Sequence, residues 1–178
     1  MAIPNNEVKS YVDKILEHMP EAILLDISSD HRFNASWEYR LPELSEPVSA
    51  TKISNPGCYA TAMQLMLAPL IDKISGPVNF FGISGYSGAG ASPNLRNNKE
   101  LLSSNILAYS MINHLHEQEV KHQIYDEIFF TPHVADFFRG IHMTGNIILT
   151  DAISADEVEI AFQNFYTDMP LIKMQHSA

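Results

Sequence analysis

The sequence predicts an α+β fold with a mixed or largely antiparallel sheet, preceded by part of an α/β unit. Two observations carry this prediction. The chain opens with a helical pattern followed by a short continuous apolar run, which is half of a βαβ unit. Beyond residue 50, one helix headed by a cysteine gives way mostly to strand-like runs, with a single late helix. Residues 1–50 are therefore read as the end of an α/β domain and residues 51–178 as a second domain.

The elements follow in order. Val8, Tyr11, Val12, Ile15 and Met19 recur at helical spacing, and Pro20 ends that helix. Ala22 to Ile27 reads as a buried, parallel-type strand. Asp26-Ile27-Ser28-Ser29-Asp30-His31-Arg32-Phe33 lies at its C-terminal end, where open α/β sheets place ligands; the same residues also suit a polar loop with an internal ion pair. Asn34 to Ala50, with Trp37, Tyr39 and Pro47, reads as a loop. Asn55-Pro56-Gly57-Cys58 then forms a tight turn ahead of an apolar helix that ends near Ile71. Val78 to Ile83 reads as a strand that runs into the Ser84–Gly90 loop, rich in Gly and Ser. Ala91 to Ser104, rich in Asn, reads as an excursion. Glu127 to Pro132 and Gly140 to Thr150 read as strands, and Leu171 to Met174 as one more. Ser154 with Glu157 forms a capping box at the start of the late helix.

The chain contains one cysteine, Cys58. On the first turn of a helix, free amides and the dipole favour a thiolate, which is what a sulfur nucleophile needs. The competing reading is a buried, inert thiol. The Ser84–Gly90 loop can offer amides to an anion, or can be a flexible surface loop. His114 and His116 suit acid–base work by one histidine better than metal ligation, because no third ligand at suitable spacing is evident. Arg139, near His133, is a candidate anion clamp or a surface partner of Asp136.

Composition bounds the partners. Eleven Lys plus Arg against 21 Asp plus Glu give a formal charge of −10, which disfavours nucleic acid. No apolar run is long enough to span a bilayer, so no membrane partner is expected. One cysteine excludes an internal disulfide framework and fits a reducing compartment. The N-terminus lacks the features of a signal or transit peptide, and neither end resembles a natural domain edge.

Several motifs stand together in order: Asn55-Pro56-Gly57-Cys58-Tyr59-Ala60-Thr61, the Ser84–Gly90 loop, His114-Leu115-His116-Glu117-Gln118-Glu119, and Pro132-His133-Val134 with Arg139-Gly140-Ile141. With Asp26 to Phe33 and Leu41-Pro42-Glu43-Leu44, they resemble the N-acetyl-γ-glutamyl-phosphate reductase family, closest to its fungal and proteobacterial branch. The resemblance covers nearly the whole chain. It implies a fold like the catalytic domain of glyceraldehyde-3-phosphate dehydrogenase and NADPH-dependent reduction of an acyl phosphate through a cysteine thioester, in arginine biosynthesis. It implies Cys58 as nucleophile, His114 and then His116 as acid–base residues, and Glu119 as the orienting carboxylate. Asn55, Arg32, Arg139 and His133 are the implied substrate contacts. Ser28, Ser84, Gly85, Ser87 and Gly88 are the implied NADP contacts. It also implies a homo-oligomer formed through the sheet face, in the cytoplasm or, for a fungal source, the mitochondrial matrix. The family's Gly-rich Rossmann turn has no counterpart here, so the chain is expected to be a fragment with weak or no reductase activity alone. The alternatives are a related semialdehyde dehydrogenase of the aspartate or lysine pathway, a non-catalytic assembly or regulatory module, and a metal-dependent hydrolase using His114, His116 and His133.

Overall fold

The computed structural model describes residues 1–46, 50–150 and 153–175. Pro47 of the expected loop, and His176 to Ala178 at the C-terminus, lie outside the described residues.

The first unit starts with helix α1 (Val8–His18). It buries Val8 and Val12 against Leu24 and Trp37. Strands β1 (Leu24–Asp26), β2 (Glu38–Tyr39) and β3 (Lys52–Ser54) form a parallel sheet in the order β1-β3-β2. The expected strand is present, but its burial is corrected. Leu24 and Asp26 are buried while Ile23, Leu25 and Ile27 are exposed, because this edge strand is covered on one face only. The amino group of Met1 bonds the Leu25 carbonyl along that edge. Strands β2 and β3 were not expected. Each is too short to show a period, and β3 is held by pairing on both sides rather than by an apolar run. The parallel sheet therefore runs to Ser54, past the boundary expected at residue 50.

At the end of β1 the polar cluster folds on itself. Asp26 is fully buried and accepts hydrogen bonds from the Ser28 amide and hydroxyl, and His31 Nδ1 lies 2.7 Å from its Oδ2. The His31 ring stacks on Trp37 at 4.0 Å. Burial opposes the Asp26 charge, but the bonds from His31 and Ser28 together outweigh it and hold the carboxyl below its ordinary 3.8. A depressed pKa contributes stability above the unfolded value that is lost as pH falls through the folded one. Asp26→Asn is thus expected to be less stable than wild type at pH 7. Urea midpoints should show that gap closing below about pH 4; a gap constant with pH would contradict this.

The second unit begins with helix α2 (Cys58–Leu67), which continues as a 3₁₀ segment (Ala68–Lys73). Strand β4 (Val78–Gly85) follows, then a short helix α3 (Lys99–Leu102), strand β5 (Ile106–Ala108), helix α4 (Leu115–Gln123), strands β6 (Ile128–Ala135) and β7 (Ile141–Asn146), and helix α5 (Ala155–Tyr166). The sheet order is β5-β6-β4-β7, with β4 and β6 parallel and the two outer pairs antiparallel. This is the expected mixed sheet. Tyr59 and Met63 of α2 and Val120 of α4 pack on Phe80 and Phe130 to form the core. The opposite face is bare, with Phe81 and Phe129 exposed.

Strand β6 runs on past Pro132, the last residue of the expected strand, to Ala135. Pro132 accepts the Tyr109 amide but can return no bond, and β5 stops at Ala108, so the missing N–H falls at the end of that pairing. The Ser154–Glu157 capping box forms as expected. The strand expected at Leu171 to Met174 does not form. Leu171 is exposed and Ile172 closes a turn onto Met169 instead of pairing.

Candidate active site

The site is assembled where the two units meet. Gly57 is the N-cap of α2 and Cys58 its first residue. A Cβ at Gly57 would lie 2.2 Å from His116 Nε2 and 2.8 Å from an Arg32 nitrogen, so only glycine allows α4 to come this close. Glu119 of α4 is fully buried. Its Oε1 accepts from Arg32 at 2.7 Å, and its Oε2 accepts from the Gly57 amide at 2.9 Å and the Tyr39 hydroxyl at 3.0 Å. One carboxylate thus pins the turn before Cys58 and joins it to two side chains of the first unit.

Cys58 is exposed to a cavity of about 560 Å³ lined also by Ser84, Arg96, Tyr109, His114 and His116. Burial by the surrounding protein pushes its thiol up from the ordinary value, while the Tyr59 and Cys58 amides pull it down. The helix end acts as expected but does not win. The sulfur is accessible from the cavity and desolvated on its protein side, which favours the thiol over the thiolate.

His114 is the N-cap of α4. Its Nδ1 accepts the His116 amide at 3.1 Å, so the neutral ring carries its hydrogen on Nε2. Burial and then the Arg96 charge push it down to about 4. His116 is pushed down to about 3 by burial, then by His114 and Arg32. Its Nδ1 is buried without a partner among the described residues, and its Nε2 stands 3.9 Å from Glu119. The two rings, 4.9 Å apart, are neutral at physiological pH. They share the cavity because His114 precedes the helix and is not bound to its period.

Other expected site residues lie elsewhere or are already engaged. The Arg32 guanidinium is used by Glu119 and by the Asn55 and Ile27 carbonyls, so it faces protein rather than a substrate anion. Asn55 bonds the Pro56 carbonyl through its side chain. Ser28 caps Asp26. His133 meets Phe81 ring to ring, tilted by 40° at 4.4 Å, on the bare sheet face. Arg139 is exposed, and its backbone packs where a Cβ at Gly85 would intrude at 2.6 Å. The amides of Gly85, Tyr86 and Ser87 bond the Gly140, Phe137 and Phe138 carbonyls, so they are not free for an anion. Ser84 and Gly88 do line the Cys58 cavity, whereas Ser87 faces a neighbouring cavity with Tyr86 and Phe138. Arg96, Tyr39 and Tyr109 were overlooked in the sequence. The signal for Arg96 was an arginine framed by capping asparagines in a chain with few cations.

A cysteine on a helix N-terminus beside two histidines, on one face of a mixed sheet, can be compared with known proteins. The semialdehyde dehydrogenase dimerisation-domain model matches residues 58–178. The chain belongs to that family. Among its relatives, an N-acetyl-gamma-glutamyl-phosphate reductase of Xanthomonas axonopodis pv. citri is 45% identical over all of this chain and 57% of its own length. One from Xylella fastidiosa is 44% identical over 97% of this chain and 52% of its own length. A mitochondrial protein of Schizosaccharomyces pombe is 40% identical over 98% of this chain and 20% of its own length. The chain thus spans about half the length of the reductases it matches. Aspartate semialdehyde dehydrogenase II of Vibrio cholerae, complexed with ASA, shares the fold at a TM-score of 0.72 and 15% identity, over 90% of this chain and 57% of that one. Among the described residues, no helix is long and apolar enough to cross a membrane.

Proposed function

We propose that this semialdehyde dehydrogenase family chain carries the acyl-transfer centre of an N-acetyl-γ-glutamyl-phosphate reductase. The observation that carries the reading is Cys58, open to a cavity at the start of α2 beside two neutral histidines. The substrate comes from the 45% identity to reductases of that name over the whole chain.

The Cys58 sulfur attacks the acyl carbon. The S–C bond forms, the bond from carbon to the phosphate oxygen breaks, and phosphate leaves with the electron pair. The thiol proton needs an acceptor. His116, neutral and with no partner for its Nδ1 among the described residues, suits that role, while His114, with its hydrogen on Nε2, suits hydrogen-bond donation to the departing or carbonyl oxygen. Glu119 acts through others, fixing Gly57 and with it the sulfur.

When bound, NADPH supplies the hydride that reduces the thioester to the semialdehyde. Ser84 and Gly88, beside Cys58, fit its nicotinamide end. Of the other expected NADP contacts, the Gly85 and Ser87 amides and the Ser28 hydroxyl are engaged within the protein. The bare sheet face with Phe81 and Phe129 suits a second copy of the chain, in keeping with a dimerisation domain. The compartment follows the source, the cytoplasm in a bacterium or the mitochondrial matrix in a fungus; the mitochondrial relative supports the latter.

The rival substrate is aspartyl phosphate, suggested by fold alone. Phosphate release from N-acetyl-γ-glutamyl phosphate is expected to exceed that from β-aspartyl phosphate by about tenfold or more. Equal rates, or the reverse preference, would overturn the substrate assignment.

A further inference from the structure

The Cys58 cavity contains a permanent charge that the acylation chemistry leaves unused. Arg96 lines it, and among the described residues no carboxylate does, although the chain as a whole carries −10. Its guanidinium makes no salt bridge among the described residues and lies over the Tyr109 ring, 5.0 Å from the centroid. Tyr109 in turn meets His114, ring to ring, at 5.7 Å.

The segment that presents Arg96 is built to stay in place. Asn94 caps the 3₁₀ turn Leu95–Asn97, taking the Arg96 amide on its side chain, and Asn97 returns a bond to the Asn94 amide. Asn94 also donates to the Ala89 carbonyl and Asn97 to the Gly90 carbonyl. Two asparagines thereby tie the turn to the end of the Ser84–Gly90 loop, on the same cavity wall as Ser84 and Gly88. The Asn-rich excursion of the sequence is this fixture. An arginine held against an aromatic side chain, without an acidic partner among the described residues and in an open cavity beside a nucleophile, can present its fork to an incoming anion.

We propose that Arg96 is the anion subsite of the Cys58 centre, binding an oxyanion, phosphate or carboxylate, of the substrate being attacked. This rests on Cys58 being the reacting residue. Arg96 acts by direct contact, and its fork suits either anion.

The chain's one cysteine makes a labelling test unambiguous. Iodoacetamide and iodoacetate differ in charge, so the ratio of their rates at Cys58 reports the subsite. Arg96→Gln is expected to lower the iodoacetate-to-iodoacetamide ratio about five- to tenfold at low ionic strength, and Arg96→Lys to hold it within about twofold. Inorganic phosphate and acetate, tested separately as protectants, distinguish the two sources of the anion. Protection by either is expected to weaken in Arg96→Lys, which keeps the charge and loses the fork. A wild-type ratio in Arg96→Gln would overturn the subsite. Should Arg96→Gln fail to fold, unchanged protection in Arg96→Lys would overturn it. Cys58 inert to both reagents in wild type would instead overturn the nucleophile reading, and the subsite with it.

Discussion

Glu119→Ala is expected to destabilise the chain by about 3–5 kcal/mol, the cost of breaking a buried ion pair by removing one partner. Arg32, itself buried, would be left without its carboxylate. The Gly57 amide and the Tyr39 hydroxyl would lose their acceptor at the same time. These donors come from both units, so the loss is expected to loosen the junction as well as the turn under Cys58. Glu119→Gln keeps the shape, but its amide nitrogen must face a donor whichever way it turns. Its expected cost is about 1–3 kcal/mol. Urea unfolding followed by circular dichroism measures both. An Ala variant within about 1 kcal/mol of wild type would show that the hub holds nothing together.

Glu119 also shows where sequence reading stops. Its motif singled it out, with a histidine as its partner. In the structure its short contact is to Arg32, 87 residues away, and His116 stands farther off. Arg32 reads in the sequence as a substrate contact for the same reason. The arginine is legible in the sequence, but a partner brought in by the packing of α4 is not. Cys58 was placed correctly because its signal is local: a Pro-Gly turn, then an apolar helical run. The upward push on its thiol is not legible there, because it comes from burial by residues remote in sequence, which outweighs the amides of its own helix. Arg96 was missed because asparagines that cap and tether a turn look, in sequence, like those of any polar loop. Strands β2 and β3 escaped because two or three residues show no period, while the eight-residue ladder of β4 with β6 was visible in both its runs.

Cys58→Ala is expected to cause the largest loss of function. Removing a covalent nucleophile costs on the order of 10⁴-fold or more, since the remaining groups can only position substrate and polarise it. The fold should be nearly untouched, because Cys58 faces the cavity rather than the core. Arg96, His114 and His116 would still surround the acyl phosphate but would have no sulfur to capture it.

The direct test of the nucleophile is to incubate the 178-residue chain with N-acetyl-γ-glutamyl phosphate without nucleotide, then measure released phosphate and map the acylated residue by mass spectrometry. The expected result is one phosphate released and one acyl group on Cys58 per chain, with neither above background in Cys58→Ala. Equal phosphate release by the two proteins, or an acyl group on any residue but Cys58, would contradict the assignment of Cys58 as the acyl acceptor.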